Sequence, residues 1–209
     1  FDGGATGLTD FVWNQAPDVV ITSGGMKVTE QHIAGVPSAE PFEACFTMGQ
    51  EWSYRPTNDN YKSGAEMIGM LIETRARGGC LLLNVGPTPD GEIPIDQENR
   101  LREIALWTFI NGEAVYGVRP WVVTNEGDCW FTRKKDADTL YVSVRRPWSF
   151  TERKSIRLAS VRASADTQVC VLGQSDQLIE YRPQVDAKTT WKQEADGLHI
   201  SAVRAQRLY

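Results

Sequence analysis

Gly78-Gly-Cys-Leu-Leu-Leu-Asn-Val-Gly-Pro-Thr-Pro-Asp-Gly-Glu-Ile-Pro94 is an apolar run followed by two turn signals. Five of the six residues from Cys80 to Val85 are apolar. That is too continuous for a strand with one wet face and too short for a helix, so it reads as a strand buried on both sides. Gly86-Pro87 ends it and Pro89-Asp90-Gly91 adds a second turn, because proline cannot donate to a ladder and glycine lets the chain reverse.

Helical patterns flank this strand. Before it, Ala65, Ile68, Leu71 and Ile72 recur at helical spacing within residues 61–77. After it, Asp96 caps a helix with Leu101, Ile104 and Trp107 on one side, ending near Gly112; Glu98 in its first turn suits the helix dipole. Helix, buried strand, polar loop, helix is the unit of an α/β barrel, whose chemistry sits in loops at the strand C-termini. Further upstream the pattern predicts a helix over Leu8 to Gln15, a strand over Asp18 to Thr22, a long functional loop from Ser23 to Pro41, and a strand over Phe42 to Met48. A polar, aromatic loop from Gln50 to Asn60 holds Trp52 and Tyr54.

From Trp121 the texture changes to short alternating segments: residues 121–124, 129–132, 140–144, 168–172, 178–181 and 198–202. With turn signals at Asp136-Ala-Asp138 and Asp196-Gly197, this tail is expected to be an antiparallel β-sandwich domain. The expected fold class is therefore α/β plus all-β, with residues 1–118 forming one domain and 119–209 the other.

Composition narrows the function. A net charge of −5 from scattered acids, with no Lys/Arg run of the kind that tracks a phosphate backbone, argues against a nucleic-acid partner. No apolar run is long enough to span a membrane. The start at Phe-Asp-Gly-Gly lacks the regions of a signal peptide and reads as the middle of a domain. Cys45, Cys80, Cys129 and Cys170 are widely spaced without a CxxC pair, so no zinc site or disulfide framework is indicated, and Cys45 and Cys80 are expected to be buried thiols. An acid before two glycines, as at Asp2, is by itself an ordinary turn.

Cys80 to Pro87 resembles the Asn-Leu-Leu-Leu-Asn-Val-Gly-Pro signature of the family 29 glycoside hydrolases, the α-L-fucosidases. Asn111-Gly-Glu-Ala-Val-Tyr-Gly117 resembles the Asn-Gly-Glu-Ala-Ile-Tyr that follows it there, and the likeness runs from Phe1 to about Pro120. The resemblance implies the C-terminal part of a (β/α)8-like barrel followed by the β-sandwich. Phe1-Asp2-Gly3 is similar to the family's nucleophile motif, which makes Asp2 the expected nucleophile. For the acid/base the resemblance offers Glu30, in Val28-Thr-Glu-Gln-His-Ile33, and as the alternative Glu43, in Phe42-Glu-Ala-Cys45. Glu51-Trp-Ser-Tyr54 resembles Ser-Trp-Gly-Tyr, which makes Trp52 the expected platform for the sugar's apolar face; core packing or a loop anchor is the other reading of the same residue. Ile21 to Gly24 stands where many members carry Asn-x-Arg, and Lys27 where they carry a Gly-Asp-Phe or Gly-Asp-Tyr run.

The implied activity is retaining, exo-acting hydrolysis of α-L-fucosides on glycans or glycoconjugates, with no metal or cofactor, in a secreted, periplasmic or lysosomal setting. On this reading the chain lacks an upstream barrel half and is expected to be inactive alone. The alternative is a non-catalytic carbohydrate-binding or structural fragment.

Overall fold

A computed structural model of the chain describes residues 7–22, 26–35, 40–57, 59–175, 182 and 184–205. Asp2 lies outside them. They form two compact units, residues 1–98 and 99–209, a division that falls earlier than the expected boundary at 118/119.

In the first unit, helix α1 (Leu8–Gln15) precedes three parallel strands, β1 (Lys27–Glu30), β2 (Phe42–Thr47) and β3 (Cys80–Asn84), in the order β1-β2-β3. Helix α2 (Gly64–Ala76) crosses over from β2 to β3. Ser63 starts α2 with a capping box: its Oγ accepts from the Glu66 N–H at 3.2 Å, and Glu66 Oε2 accepts from the Ser63 N–H at 2.7 Å. The helix ends at Arg77, and Gly78 then takes the left-handed conformation common after a helix.

Register sorts the strand side chains onto two faces, because paired residues in a parallel ladder point the same way. Lys27, Val28, Thr29 and Glu30 lie opposite Phe42, Glu43, Ala44 and Cys45, while Ala44 and Phe46 lie opposite Leu81 and Leu83. Phe42, Ala44 and Phe46 are buried with Ala34, and Ile33, Met70, Leu81 and Leu83 pack on them; this is the core face. The opposite face carries Glu30, Glu43, Cys45, Thr47, Cys80, Leu82 and Asn84.

Four expectations change here. The run at Cys80 is one strand, yet it is not buried on both sides: Cys80 is exposed and Leu82 is 41% exposed. Cys80 is thus no buried thiol, and Cys45 is only half-buried. Residues 18–22 form no strand beyond an isolated bridge from Thr22 to Met26, and β1 lies inside the stretch expected to be loop. Lys-Val-Thr-Glu is too short and too polar to signal a strand. It forms one because β2 offers it a ladder.

Helix α3 (Ile95–Asn111) starts with Asp96 and Glu98 in its first turn and leads through a 3-10 turn (Gly112–Ala114) to the second unit's strands. β4 (Val118–Glu126), β5 (Cys129–Lys134) and β6 (Leu140–Val144) make one antiparallel sheet; β7 (Arg153–Leu158), β9 (Gly197–Val203) and β8 (Thr190–Glu194) make another, with β9 central. Cys129 and Phe131 from the first sheet share a core with Ile156, Leu158 and Leu198 from the second, and Trp121, Trp148 and Trp191 pack around it. The Trp121 and Phe131 rings meet with centroids 5.0 Å apart.

Residues 168–172 form no strand, and the stretch 178–181 lies outside the described residues. β7 and β8 are strands the pattern did not suggest. Arg-Lys-Ser-Ile-Arg-Leu has few apolar residues, but its buried Ile156 and Leu158 alternate with charged side chains at the period of a sheet with one wet face.

Candidate active site

The C-terminal ends of β1, β2 and β3 lie at one edge of the first sheet; Glu30 and the loop that carries Trp52 are at that edge, whereas Glu43 lies lower on the same face. Glu30 is the last residue of β1 and is exposed. Glu43 is the second residue of β2, half-buried, on the same open face. Glu30 lies opposite Cys45, and strand spacing and rise place the two glutamate Cα atoms about 8 Å apart along the diagonal. Cys45 shares that face with both glutamates, opposite Glu30 and two residues along β2 from Glu43. Its thiol is pushed up from the ordinary range by burial first, then by the negative charge of Glu43 and of Glu30. Register had already placed both acids on one face, and this places both within electrostatic reach of one thiol.

Trp52 is on the loop that leaves β2 and is 44% exposed, so it is not a core residue. The loop is tied across the end of β3 at several points. Asn84 Nδ2 donates to the Trp52 carbonyl at 2.7 Å, and the Met48 N–H donates to the Asn84 carbonyl at 3.2 Å. The Gly86 N–H donates to Gln97 Oε1 at 2.9 Å, and Gln97 Nε2 donates to the Tyr61 hydroxyl at 3.3 Å. A Cβ built on Gly86 would lie 2.8 Å from the Tyr54 nitrogen, so loop backbone passes directly over this residue. Further back, the Gln50 N–H donates to Asp59 Oδ1 at 3.0 Å and Arg55 donates to Gln50 Oε1 at 2.8 Å.

Thr47, Asp59, Lys62 and Gln97 are site-building residues that the sequence reading did not single out. Lys62 Nζ donates to the Thr47 carbonyl at 2.7 Å, closing the loop's far end onto β2. Their only sequence signal was position: each sits within a few residues of a strand end or helix start, where backbone groups lack ladder partners. His32 is a loop residue. Its Nδ1 bonds the Glu30 carbonyl at 2.8 Å, and it belongs to the turn after β1.

Glu194, Asp196 and His199 bring three potential ligand atoms together on the β8–β9 hairpin. The acids there already have partners: Lys192 Nζ is 2.9 Å from Glu194, Arg157 is 3.5 Å from Asp196, and the His199 ring nitrogen Nε2 lies 2.8 Å from Asp196 Oδ1. This is an exposed ion-pair network without the surplus negative charge a divalent cation would need.

A family profile described as Alpha-L-fucosidase matches residues 9–113 of the chain. The plasma α-L-fucosidase of Rattus norvegicus is 32% identical over 167 residues, covering 67% of this chain and 36% of that protein. An α-L-fucosidase of Branchiostoma floridae is 30% identical over 189 residues, covering 81% of this chain and 41% of that protein. The chain thus spans well under half the length of these relatives. Among solved structures, the α-fucosidase of Thermotoga maritima in complex with fucose superposes with a TM-score of 0.66 at 23% identity, covering 93% of this chain and 43% of that one. At that identity the likeness is one of fold.

Proposed function

The chain belongs to the α-L-fucosidase family, glycoside hydrolase family 29, and from that premise we propose that the protein is a retaining, exo-acting α-L-fucosidase that releases L-fucose from fucosylated oligosaccharides or glycoconjugates. The observation that carries this reading is the open face of the parallel sheet, where Glu30 and Glu43 stand on one side with an aromatic loop tied down at the strand C-terminal edge. In barrel enzymes that edge is where catalytic groups project. We take β1, β2 and β3 as consecutive barrel strands, residues 1–118 as barrel, and residues 119–209 as a β-sandwich domain. The core face with α2 packs outward, and the face with the two carboxylates lines the interior.

Retention requires two carboxyl groups about 5 to 5.5 Å apart. Asp2, in the Phe1-Asp2-Gly3 motif, attacks the anomeric carbon and forms a glycosyl-enzyme while the acid/base protonates the departing oxygen. The same residue then takes a proton from water, which attacks the anomeric carbon and frees Asp2. Glu30 is the acid/base on this reading because it ends its strand, whereas Glu43 lies about four residues below the end of β2, deep in the sheet. Trp52, exposed on its tethered loop, offers its ring to the apolar face of the sugar. The two-step mechanism needs neither metal nor cofactor. On this reading the protein works in a secreted, periplasmic or lysosomal setting.

The test uses whole protein with Asp2→Gly, Glu30→Ala and Glu43→Ala. Asp2→Gly abolishes turnover and azide restores part of it. Glu30→Ala slows fucosides with poor leaving groups by about 10² to 10⁴-fold and spares activated aryl fucosides at the glycosylation step. Glu43→Ala lacks that signature. Wild-type turnover by Asp2→Gly removes the nucleophile assignment, and an exchange of behaviour between the two glutamates transfers the acid/base role to Glu43.

A further inference from the structure

We infer that Gln31 and Thr47 are a positioning pair that sets the aim of Glu30, an inference that rests on the acid/base reading above. Gln31 follows Glu30 directly and has φ 56°, the left-handed conformation that a side chain with a Cβ rarely adopts. Something must hold it there, and both of its donors are engaged by β2. The Gln31 N–H donates to the Cys45 carbonyl at 2.8 Å, and its Nε2 donates to Thr47 Oγ1 at 3.0 Å.

Thr47 is built to receive that bond. It is 2% exposed, and its hydroxyl proton is directed at the Gly49 carbonyl, 2.7 Å away, which leaves an oxygen lone pair for the Gln31 amide. Lys62 Nζ holds the Thr47 carbonyl at 2.7 Å, so the acceptor is itself anchored. On the other side of the turn Thr29 Oγ1 donates to the His32 carbonyl at 2.7 Å. The turn is therefore clamped within β1 and onto the end of β2, with Glu30 between the clamps.

The consequence is geometric. Glu30 keeps strand conformation and its register with Cys45, while the chain turns away at the next residue. Its exposed side chain gains a fixed root at the strand edge. Relaxing Gln31 toward ordinary backbone would rotate the peptide that joins the two residues and swing the carboxyl away from its position. The pair touches no substrate atom in this scheme and acts only through Glu30.

The experiment compares Gln31→Met, Thr47→Val and Thr47→Ser in the whole protein, alongside Glu30→Ala, with kcat/KM measured on an activated aryl fucoside and on an alkyl fucoside. Met and Val keep approximate volume and remove the bond, whereas Ser keeps the hydroxyl. Gln31→Met and Thr47→Val should each lower kcat/KM on the alkyl fucoside by about 10 to 100-fold and on the aryl fucoside by less than about threefold. Thr47→Ser should restore the alkyl rate to within about threefold of wild type, and the double variant should be no worse than the poorer single one. Equal losses on the two substrates, or failure of Thr47→Ser to restore the alkyl rate, would show a merely structural role and overturn the inference, as would an unchanged alkyl rate in Thr47→Val. If Glu30→Ala itself shows no leaving-group dependence, the acid/base reading has failed and the inference falls with it. If Glu30→Ala shows it and Thr47→Val does not, only the inference is wrong.

Discussion

Replacing Gly86 by alanine should damage substrate binding more than it damages stability. Gly86 has no left-handed backbone, so its need for glycine is one of room. The added Cβ would lie 2.8 Å from the Tyr54 nitrogen, 2.9 Å from the Ser53 carbonyl carbon and 3.1 Å from the Ser53 oxygen, all backbone atoms that no rotamer change can move. Ordinary contact would require the two segments to part by about 0.6 Å or more. Gly86 is held from behind by Gln97, which is 3% exposed, whereas Ser53 and Trp52 are exposed. The loop therefore gives way, and it carries Trp52 with it. Because the yielding segment is at the surface, the stability cost falls near the lower end of overpacking, about 1 kcal/mol. A misplacement of about 1 Å costs on the order of 10²-fold in a positioned site, so a shift of this size should raise KM for an aryl fucoside about tenfold while kcat falls less than about threefold.

The control is Gly91→Ala. Gly91 has φ 83° with open space around its Cβ position, so alanine there costs about 1 kcal/mol through backbone strain and pushes on nothing. Both variants should melt a few degrees low, and only Gly86→Ala should change KM. Steady-state kinetics and thermal denaturation on the same preparations of the whole protein decide it. A wild-type KM in Gly86→Ala, or equal KM changes in the two variants, would refute the argument that the loop rides on this glycine.

Other expectations concern ionisable groups. Tyr141 is buried, donates to Glu113 Oε2 at 3.0 Å, and has its phenol pushed up to about 12 by burial, by that hydrogen bond and by the Glu113 charge. The stability this contributes is complete below the ordinary phenol pKa and is lost as pH rises toward the folded value. Tyr141→Phe should cost about 1 kcal/mol at pH 8, and the gap to wild type should close between about pH 10 and 12 in denaturant titrations; a gap that stays constant through that window contradicts the assignment. Burial pushes the Glu126 carboxyl up, but hydrogen bonds from the Ser160 hydroxyl, the Ser160 and Ala159 N–H groups and the charge of Arg157 outweigh it and hold the group below the ordinary range. Glu126→Gln should therefore destabilise by about 1 to 2 kcal/mol at neutral pH, with the difference vanishing as pH falls below the ordinary glutamate range; an acid-independent difference would be the wrong result. Alkylation of Cys45 at fixed alkaline pH should be slower than that of the exposed Cys80, and Glu43→Gln should speed it more than Glu30→Gln does. Mass spectrometry of the alkylated peptides checks the order, and no acceleration in either variant would remove the two carboxylates from the thiol's surroundings.

Where local pattern and final environment agree, the elements were legible from residues alone. Helix α1, strand β6 and the aromatic loop after β2 follow from periodicity and turn chemistry, and the Cys80 run was recognisable as a strand because six residues of mostly apolar character leave no room for a helix. The motifs around Asn84-Val-Gly-Pro and Asn111-Gly-Glu-Ala carried the family, which composition could not have supplied. Tertiary structure alone decided which side of each strand is the core side. Register with β2 put Glu30, Glu43 and Cys45 on one open face and left Leu82 exposed, a pairing that no hydrophobicity pattern within β3 could reveal. β1 exists only because a four-residue polar segment found a ladder partner distant in sequence, and Gly86 reads as a turn residue until another segment's backbone is seen lying across it. Periodicity reports what a segment prefers by itself. Pairing, close approach and the clamp on Gln31 depend on residues far along the chain, whose contacts outweigh the small local preferences they contradict.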